Sequence, residues 1–254
     1  MYNATVFTIA NHKGGVGKTT TAVNLGASFA EANRKTLVID LDSQASATNT
    51  LLGRGEASRL DEVLLGNAAI QDVVRATGRR DLWVVAGSGR LVGVEHAVGT
   101  RGNGEGVLRR AVEAARGHYE YIIIDAPPAL GPLSVNALLA ADVVVIPVQC
   151  EYMAMEGIAR LEDTLARMAT QREGKEVKRL YVMTMYDSRN RLAGEVVQEV
   201  KKHFGEMVST TVIPRSVRLA EAPGYQRTGL EHDPQGKGVQ AYRDLAKEMM
   251  SFEA

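Results

Sequence analysis

Apolar residues along the chain fall into two rhythms. Short runs at 6–10, 36–39, 82–85, 121–124, 143–148 and 180–184 are rich in Val and Ile at consecutive positions, which predicts strands buried on both faces. Longer stretches at 19–32, 106–116, 153–168, 193–204 and 239–250 are amphipathic and predict helices. Strands that alternate with helices imply βαβ units, hence an α/β fold with a doubly wound, mostly parallel sheet. In such sheets ligands bind beyond the carboxyl ends of the strands. The segment 86–106 is rich in Gly and lacks clear periodicity, and reads as a surface loop with room for a short helix rather than a domain linker. With no internal repeat and no low-complexity tract, one domain over 1–254 is the simplest account.

Composition narrows the class. The 254 residues carry 30 Lys and Arg against 30 Asp and Glu, so no global field advertises nucleic acid or membrane, and any such binding needs a local patch. Cys150 is the only cysteine, which excludes an internal disulfide and a cysteine-paired metal site and suits a reducing cytosol. The start, Met1-Tyr2-Asn3-Ala4-Thr5, has no basic n-region and does not read as a signal peptide. No apolar run approaches the roughly 20 residues that span a bilayer.

The strongest chemical signal is Gly14-Gly15-Val16-Gly17-Lys18-Thr19-Thr20, between the first strand and the first helix. Strand, Gly-rich turn, Lys-Thr and helix in that order are what a phosphate loop requires. The glycines let backbone N–H groups turn inward as an anion nest at the positive end of a helix. Lys18 is placed to reach the β- and γ-phosphates, the Thr19 hydroxyl to hold Mg²⁺, and Thr20 to contact the α-phosphate. Lys13 stands where the general pattern has its first Gly. Taken alone, that second lysine is either a phosphate contact or a solvated side chain on the loop's shoulder.

The run Asn11-His12-Lys13-Gly14-Gly15-Val16-Gly17-Lys18-Thr19-Thr20-Thr21 resembles the deviant Walker A motif of the ParA/MinD group of P-loop ATPases. The resemblance implies ATP and ADP as ligands, Mg²⁺ as the metal, and a nucleotide-sandwich dimer in which Lys13 crosses to the partner's phosphates. Lys13, Gly14, Gly15, Val16, Gly17, Lys18, Thr19 and Thr20 then form the nucleotide cradle, with Lys13 and Lys18 also serving catalysis.

Two further strand ends carry carboxylates. Asp40 and Asp42 close the second predicted strand two residues apart, and strand geometry points them to one face, toward the phosphates. The group carries its switch I aspartates here. That resemblance implies that Asp42 orients the attacking water, while Asp40 supports Lys18 and the metal shell. The alternative is that one of them caps the following helix, with Ser43 or Ser46 as rivals. Tyr121-Ile122-Ile123-Ile124-Asp125-Ala126-Pro127-Pro128 is a buried strand that ends in one carboxylate, the Walker B arrangement. Asp125 is expected to bind Mg²⁺ through water, together with the Thr19 hydroxyl, because the ion gives up its waters reluctantly.

Three segments, 143–152, 185–192 and 213–223, resemble the chromosomal, Soj-type ParA proteins, and the match is weakest at 86–103 and 226–235. The resemblance implies that Pro214 and Arg215 lie against the adenine. Ser43 stands where proline is usual, Ala45-Ser46 replaces a frequent Gly-Asn, and His12 replaces a common glutamine. The chain resembles the short form that lacks an N-terminal helix-turn-helix extension. From Asp187 to Arg227 there are seven Arg or Lys against five Asp or Glu, an excess too small to mark a nucleic-acid site by itself. In the family, however, basic residues in this part of the chain bind DNA without sequence preference in the ATP dimer, and Arg189 and Arg218 occupy those places. The acidic end of the last helix argues against an anionic membrane, and a single cysteine excludes the iron–sulfur relatives. The resemblance thus implies an ATPase that dimerises on ATP, binds DNA and moves DNA cargo when a ParB-like partner stimulates hydrolysis, in the cytoplasm on the nucleoid. A positioner of a protein cargo and a MinD-like membrane regulator of division remain the alternatives.

Overall fold

The structure, a computed structural model, describes residues 2–100, 104–151, 153–169 and 177–251. Residues 101–103 of the loop read at 86–106, Tyr152 and the acidic tail Phe252-Glu253-Ala254 lie outside the described residues. Seven strands form one sheet: β1 (Thr5–Ile9), β2 (Thr36–Asp40), β3 (Val74–Ala76), β4 (Leu82–Val85), β5 (Tyr121–Asp125), β6 (Val143–Gln149) and β7 (Lys178–Thr184). Their order is β3-β4-β2-β5-β1-β6-β7. All pairs are parallel except β3 with β4.

Eleven α-helices are described: α1 (Lys18–Glu31), α2 (Ser46–Leu51), α3 (Leu60–Leu65), α4 (Leu91–Thr100), α5 (Val107–Ala115), α6 (Pro132–Ala140), α7 (Ala154–Ala169), α8 (Arg191–Phe204), α9 (Val217–Glu221), α10 (Gly229–His232) and α11 (Lys237–Met250). Alternation along each strand divides the core in two. Ile122 and Ile124 of β5 pack with Val6, Leu37 and Ile39 under α3 to α8. Tyr121 and Ile123 face the other way and pack with Phe7, Val38 and the helices α1, α2 and α11. Here Phe29 of α1 stacks on Tyr121 with ring centroids 4.0 Å apart, which fastens α1 to the middle of the sheet. Both faces are therefore covered, and consecutive apolar residues are required in the central strands.

All six expected strands and all five expected helices are present, with ends shifted by at most two residues, and α4 occupies part of the segment read as a loop. The hydrophobic pattern gives no sign of β3, three residues long with two of them exposed, nor of α6. Apolar or buried residues surround α6 on nearly all sides, so it has no amphipathic period to detect.

At the far edge, the chain after α8 runs back along β7. Ser209 N–H donates to Tyr181 O at 2.9 Å, and Ile213 N–H donates to Met183 O at 2.8 Å. The opposite edge is the short antiparallel β3, whose Arg75 is ion-paired with Glu56.

Candidate functional site

Strand β1 lies between β5 and β6, so the chain reverses its direction of winding there, and the loop that leaves β1 opens at this switch point. That loop is the glycine-rich turn. Gly17 precedes α1 with φ 91°, a left-handed conformation that disfavours any residue with a Cβ, and no side chain caps the helix. The first amides of α1 are thus left to an incoming anion. Val16 is buried, and its carbonyl accepts from the Thr184 hydroxyl at 2.9 Å, which anchors the loop to the end of β7.

The two lysines of the loop point apart. Lys18 is buried, and its Nζ donates to the Lys13 carbonyl at 3.2 Å, inside the turn. Burial lowers its pKa, opposed by the negative charges of Asp125 and Asp42. Lys13 lies on the outer shoulder, about a third exposed, and pairs with Glu151 at 3.2 Å. The carboxylates follow the register of the sheet: Asp125 sits level with Ile9 on one side and Asp40 on the other. Both Asp125 oxygens are buried with no well-formed hydrogen bond, and the Thr19 hydroxyl approaches as a donor. Burial, with Asp40 and Asp42 nearby, pushes the Asp125 carboxyl well above its ordinary range.

A buried carboxylate with no donor but a threonine hydroxyl, at the mouth of an anion nest, fits a divalent cation. Among the described residues no group of three or more His, Cys, Asp or Glu side chains forms a cage. Mg²⁺ needs no such cage, being held by one or two side chains and by phosphate oxygens.

Asp40 departs from the expectation. It is fully buried, and its oxygens accept from Thr48 N–H at 2.7 Å, from the Thr48 hydroxyl at 2.7 Å and from Asp42 N–H at 3.2 Å. None of its hydrogen bonds runs to Lys18. Thr48 lies in the first turn of α2, so Asp40 caps that helix from inside the sheet, which is the alternative weighed for it above. The Thr48 hydroxyl also accepts from Gly87 N–H at 2.8 Å, joining the ends of β2 and β4. A Cβ at Gly87 would run into the Asp40 carbonyl. Asp42 stays half-exposed on the loop, holds Gln44 N–H at 2.9 Å, and is near enough to Lys18 to raise its pKa.

Pro214 and Arg215 are stitched to the same rim. Tyr186 N–H donates to Ile213 O at 3.1 Å and Arg215 N–H to Tyr186 O at 2.9 Å, while Met185 lies beside Gly17. Arg189 and Arg218 stand apart from the carboxylates, on the surface. Arg189 is paired with Asp187 at 2.7 Å and Arg218 with Glu221 at 3.2 Å. The site residues not foreseen are Thr48, Gly87 and Glu151. A threonine in a short polar helix and a lone acid after a strand carry no local signal of these contacts.

Comparison with known proteins bears on this arrangement. A family model described as an AAA domain matches residues 4–179. Sporulation initiation inhibitor protein Soj of Bacillus subtilis is 42% identical over 246 residues, covering 96% of this chain and 97% of that protein. Chromosome partitioning protein ParA of Caulobacter vibrioides is 43% identical over 253 residues, covering 98% and 94%. Among solved structures, cobyrinic acid a,c-diamide synthase of Mycobacterium smegmatis with bound ATP analogue and magnesium is 31% identical, with a TM-score of 0.83 and coverage of 97% and 94%. An ATP complex of McdA from Cyanothece has a TM-score of 0.88 over 99% and 98% of the two chains, and at 21% identity it speaks for the fold alone.

Proposed function

Because the chain belongs to the ParA/Soj family of P-loop partition ATPases and is itself an ATPase, we propose that ATP joins two copies face to face. The joined pair binds DNA without sequence preference, and hydrolysis, stimulated by a ParB-like partner, separates it. Repeated cycles carry DNA cargo over the nucleoid in the cytoplasm. We take 1–254 to act as one unit.

The observation that carries this reading is the opposed placement of the two lysines. Lys18 is buried and serves the phosphates of its own subunit. Lys13 lies on the surface beside the exposed Gly14 and Gly15, where a second subunit can reach it. Gly14 to Thr20 cradle the phosphates. Pro214 and Arg215, fixed to the turn beside Gly17, border the adenine. Thr19 and Asp125 would hold Mg²⁺, which when bound offsets the negative charge of the β- and γ-phosphates. Asp42, half-exposed and free to accept a further hydrogen bond, orients the water for attack. Asp40 acts one step removed, by holding α2 and the Asp42 loop in place.

Arg189 and Arg218 contribute to the DNA surface through their exposed guanidinium groups. Their acidic neighbours make weak, screened pairs that phosphate can displace. Among the described residues no helix is long and apolar enough to cross a membrane.

Asp42→Ala tests the cycle. It is expected to bind ATP, to accumulate as a dimer on size-exclusion chromatography and to release little phosphate. A variant that turns over ATP at the parental rate would take Asp42 off the water.

A further inference from the structure

We propose that Glu151 is a positioning residue for Lys13: in the separate subunit it holds the ammonium on its own chain and so withholds it from a neighbour. The inference rests on the trans role given to Lys13 above and adds the group that opposes it.

Lys13 is held at both ends by the stretch that runs from β6 into α7, at its Nζ directly and at its backbone through Asn11. Its Nζ meets Glu151 Oε2 at 3.2 Å. The other oxygen of Glu151 accepts from Gln149 Nε2 at 2.5 Å, and Gln149 is the last residue of β6, so the carboxylate is braced on the sheet. At the backbone, Lys13 N–H donates to Asn11 Oδ1 at 3.0 Å, while Asn11 Nδ2 donates to Pro147 O at 2.7 Å. The first turn of α7 closes the third side. A Cβ at Gly157 would stand 3.4 Å from Asn11 Oδ1 and 3.7 Å from Lys13 Cβ. A lysine meant only for solvent needs neither a braced carboxylate nor a fitted stem.

The strength of the pair suits release. Lys13 and Glu151 side chains are 36% and 53% exposed, so water and salt screen their attraction. A pair of this kind is worth a factor of roughly 1.5 to 5 in an equilibrium constant. A polyphosphate carries several negative charges against the single charge of Glu151 and outcompetes it once a second subunit presents it. Without that nucleotide, Lys13 stays on Glu151 and two subunits gain nothing by meeting. Glu151 thereby sharpens the dependence of pairing on ATP.

Closure breaks two such pairs, one per subunit. Glu151→Gln keeps the shape and removes the charge. With AMPPNP and magnesium present, it is expected to raise the association constant about 2- to 25-fold, the square of the single-pair factor, as read by analytical ultracentrifugation. Gln149→Ala, which frees Glu151 from its brace, is expected to move pairing in the same direction by less, and it decides the matter if Glu151→Gln folds poorly. Lys13→Ala is expected to stay monomeric with or without Glu151→Gln, because the restraint acts only through that lysine.

Weaker or unchanged pairing in Glu151→Gln, with Lys13→Ala monomeric, would overturn the restraint and leave the trans lysine standing. Pairing of Lys13→Ala at the parental level would overturn the trans role, and the restraint with it.

Discussion

Thr48→Val removes one oxygen and keeps the shape of the side chain, at a position that is 2% exposed. That oxygen does two things: it donates to Asp40 at 2.7 Å and accepts from Gly87 N–H at 2.8 Å. Burial pushes the Asp40 carboxyl up to about 6, so at pH 7.5 it is charged and the first bond is charge-assisted. Such a bond is worth about 1.5–3 kcal/mol, and the neutral bond to Gly87 about 0.5–1.5 kcal/mol. Part of this is recovered by the added methyl, so a net loss of about 1–4 kcal/mol is expected in urea unfolding of the ligand-free protein, followed through Trp83 fluorescence. Thr48→Ser, which keeps the oxygen, should lose no more than about 1 kcal/mol, the share of the deleted methyl group. The penalty of Thr48→Val should shrink near pH 5, where Asp40 gains a proton and the charged bond is no longer there to lose. A Thr48→Val protein within about 0.5 kcal/mol of the parent at pH 7.5 would refute the account of Asp40 as the anchor of α2.

Asp125→Asn is expected to stabilise the ligand-free protein at pH 7.5. The folded state raises the pKa of this carboxyl, so its contribution is favourable at low pH and is lost as pH rises above the ordinary carboxylate range. The gain in urea midpoint should therefore fade toward pH 4, while magnesium-dependent ATP turnover is abolished; equal midpoints at pH 7.5 would contradict a carboxyl whose pKa burial raises. Lys18→Ala should lose binding of a fluorescent ATP analogue, because the nest loses its buried cation, and retained affinity would move the nucleotide elsewhere. Arg218→Ala, paired by AMPPNP, should bind unrelated duplexes more weakly and to a similar degree. Its salt slope should be flatter by about two, one phosphate contact per subunit; an unchanged slope would remove Arg218 from the DNA surface.

The parts of the site legible in the sequence are those built from neighbours along the chain. The strand, loop and helix that hold Lys18 and Thr19 are contiguous, and Asp125 ends a strand whose burial shows in four consecutive apolar residues. Asp40 is harder to read, because what decides its role is Thr48, eight residues on, and Gly87, thirty-nine beyond that. Strand alternation puts Asp40 and Asp42 on one face, but Asp42 lies past the end of β2, where alternation no longer applies. The partner of Lys13 lies 138 residues away, and only the folded sheet brings Glu151 to it. The replacement of a frequent glycine by Ala45 now has a physical reading. Ala45 sits at φ 52°, a conformation glycine adopts freely and alanine at some cost, so the turn before α2 is held under mild strain.

The treatment of the two sheet edges bears on crowding. A protein at high local density meets copies of itself constantly, and an open strand edge would let those encounters grow into fibres. One margin is closed by its own chain, through the bonds from Ser209 and Ile213 to β7. The other ends in a strand of three residues that runs against its neighbour and carries an ion-paired arginine. Strand-to-strand growth is thereby discouraged at both margins. In the proposed cycle self-association is left to the loop face, where a small molecule starts it and its chemistry ends it.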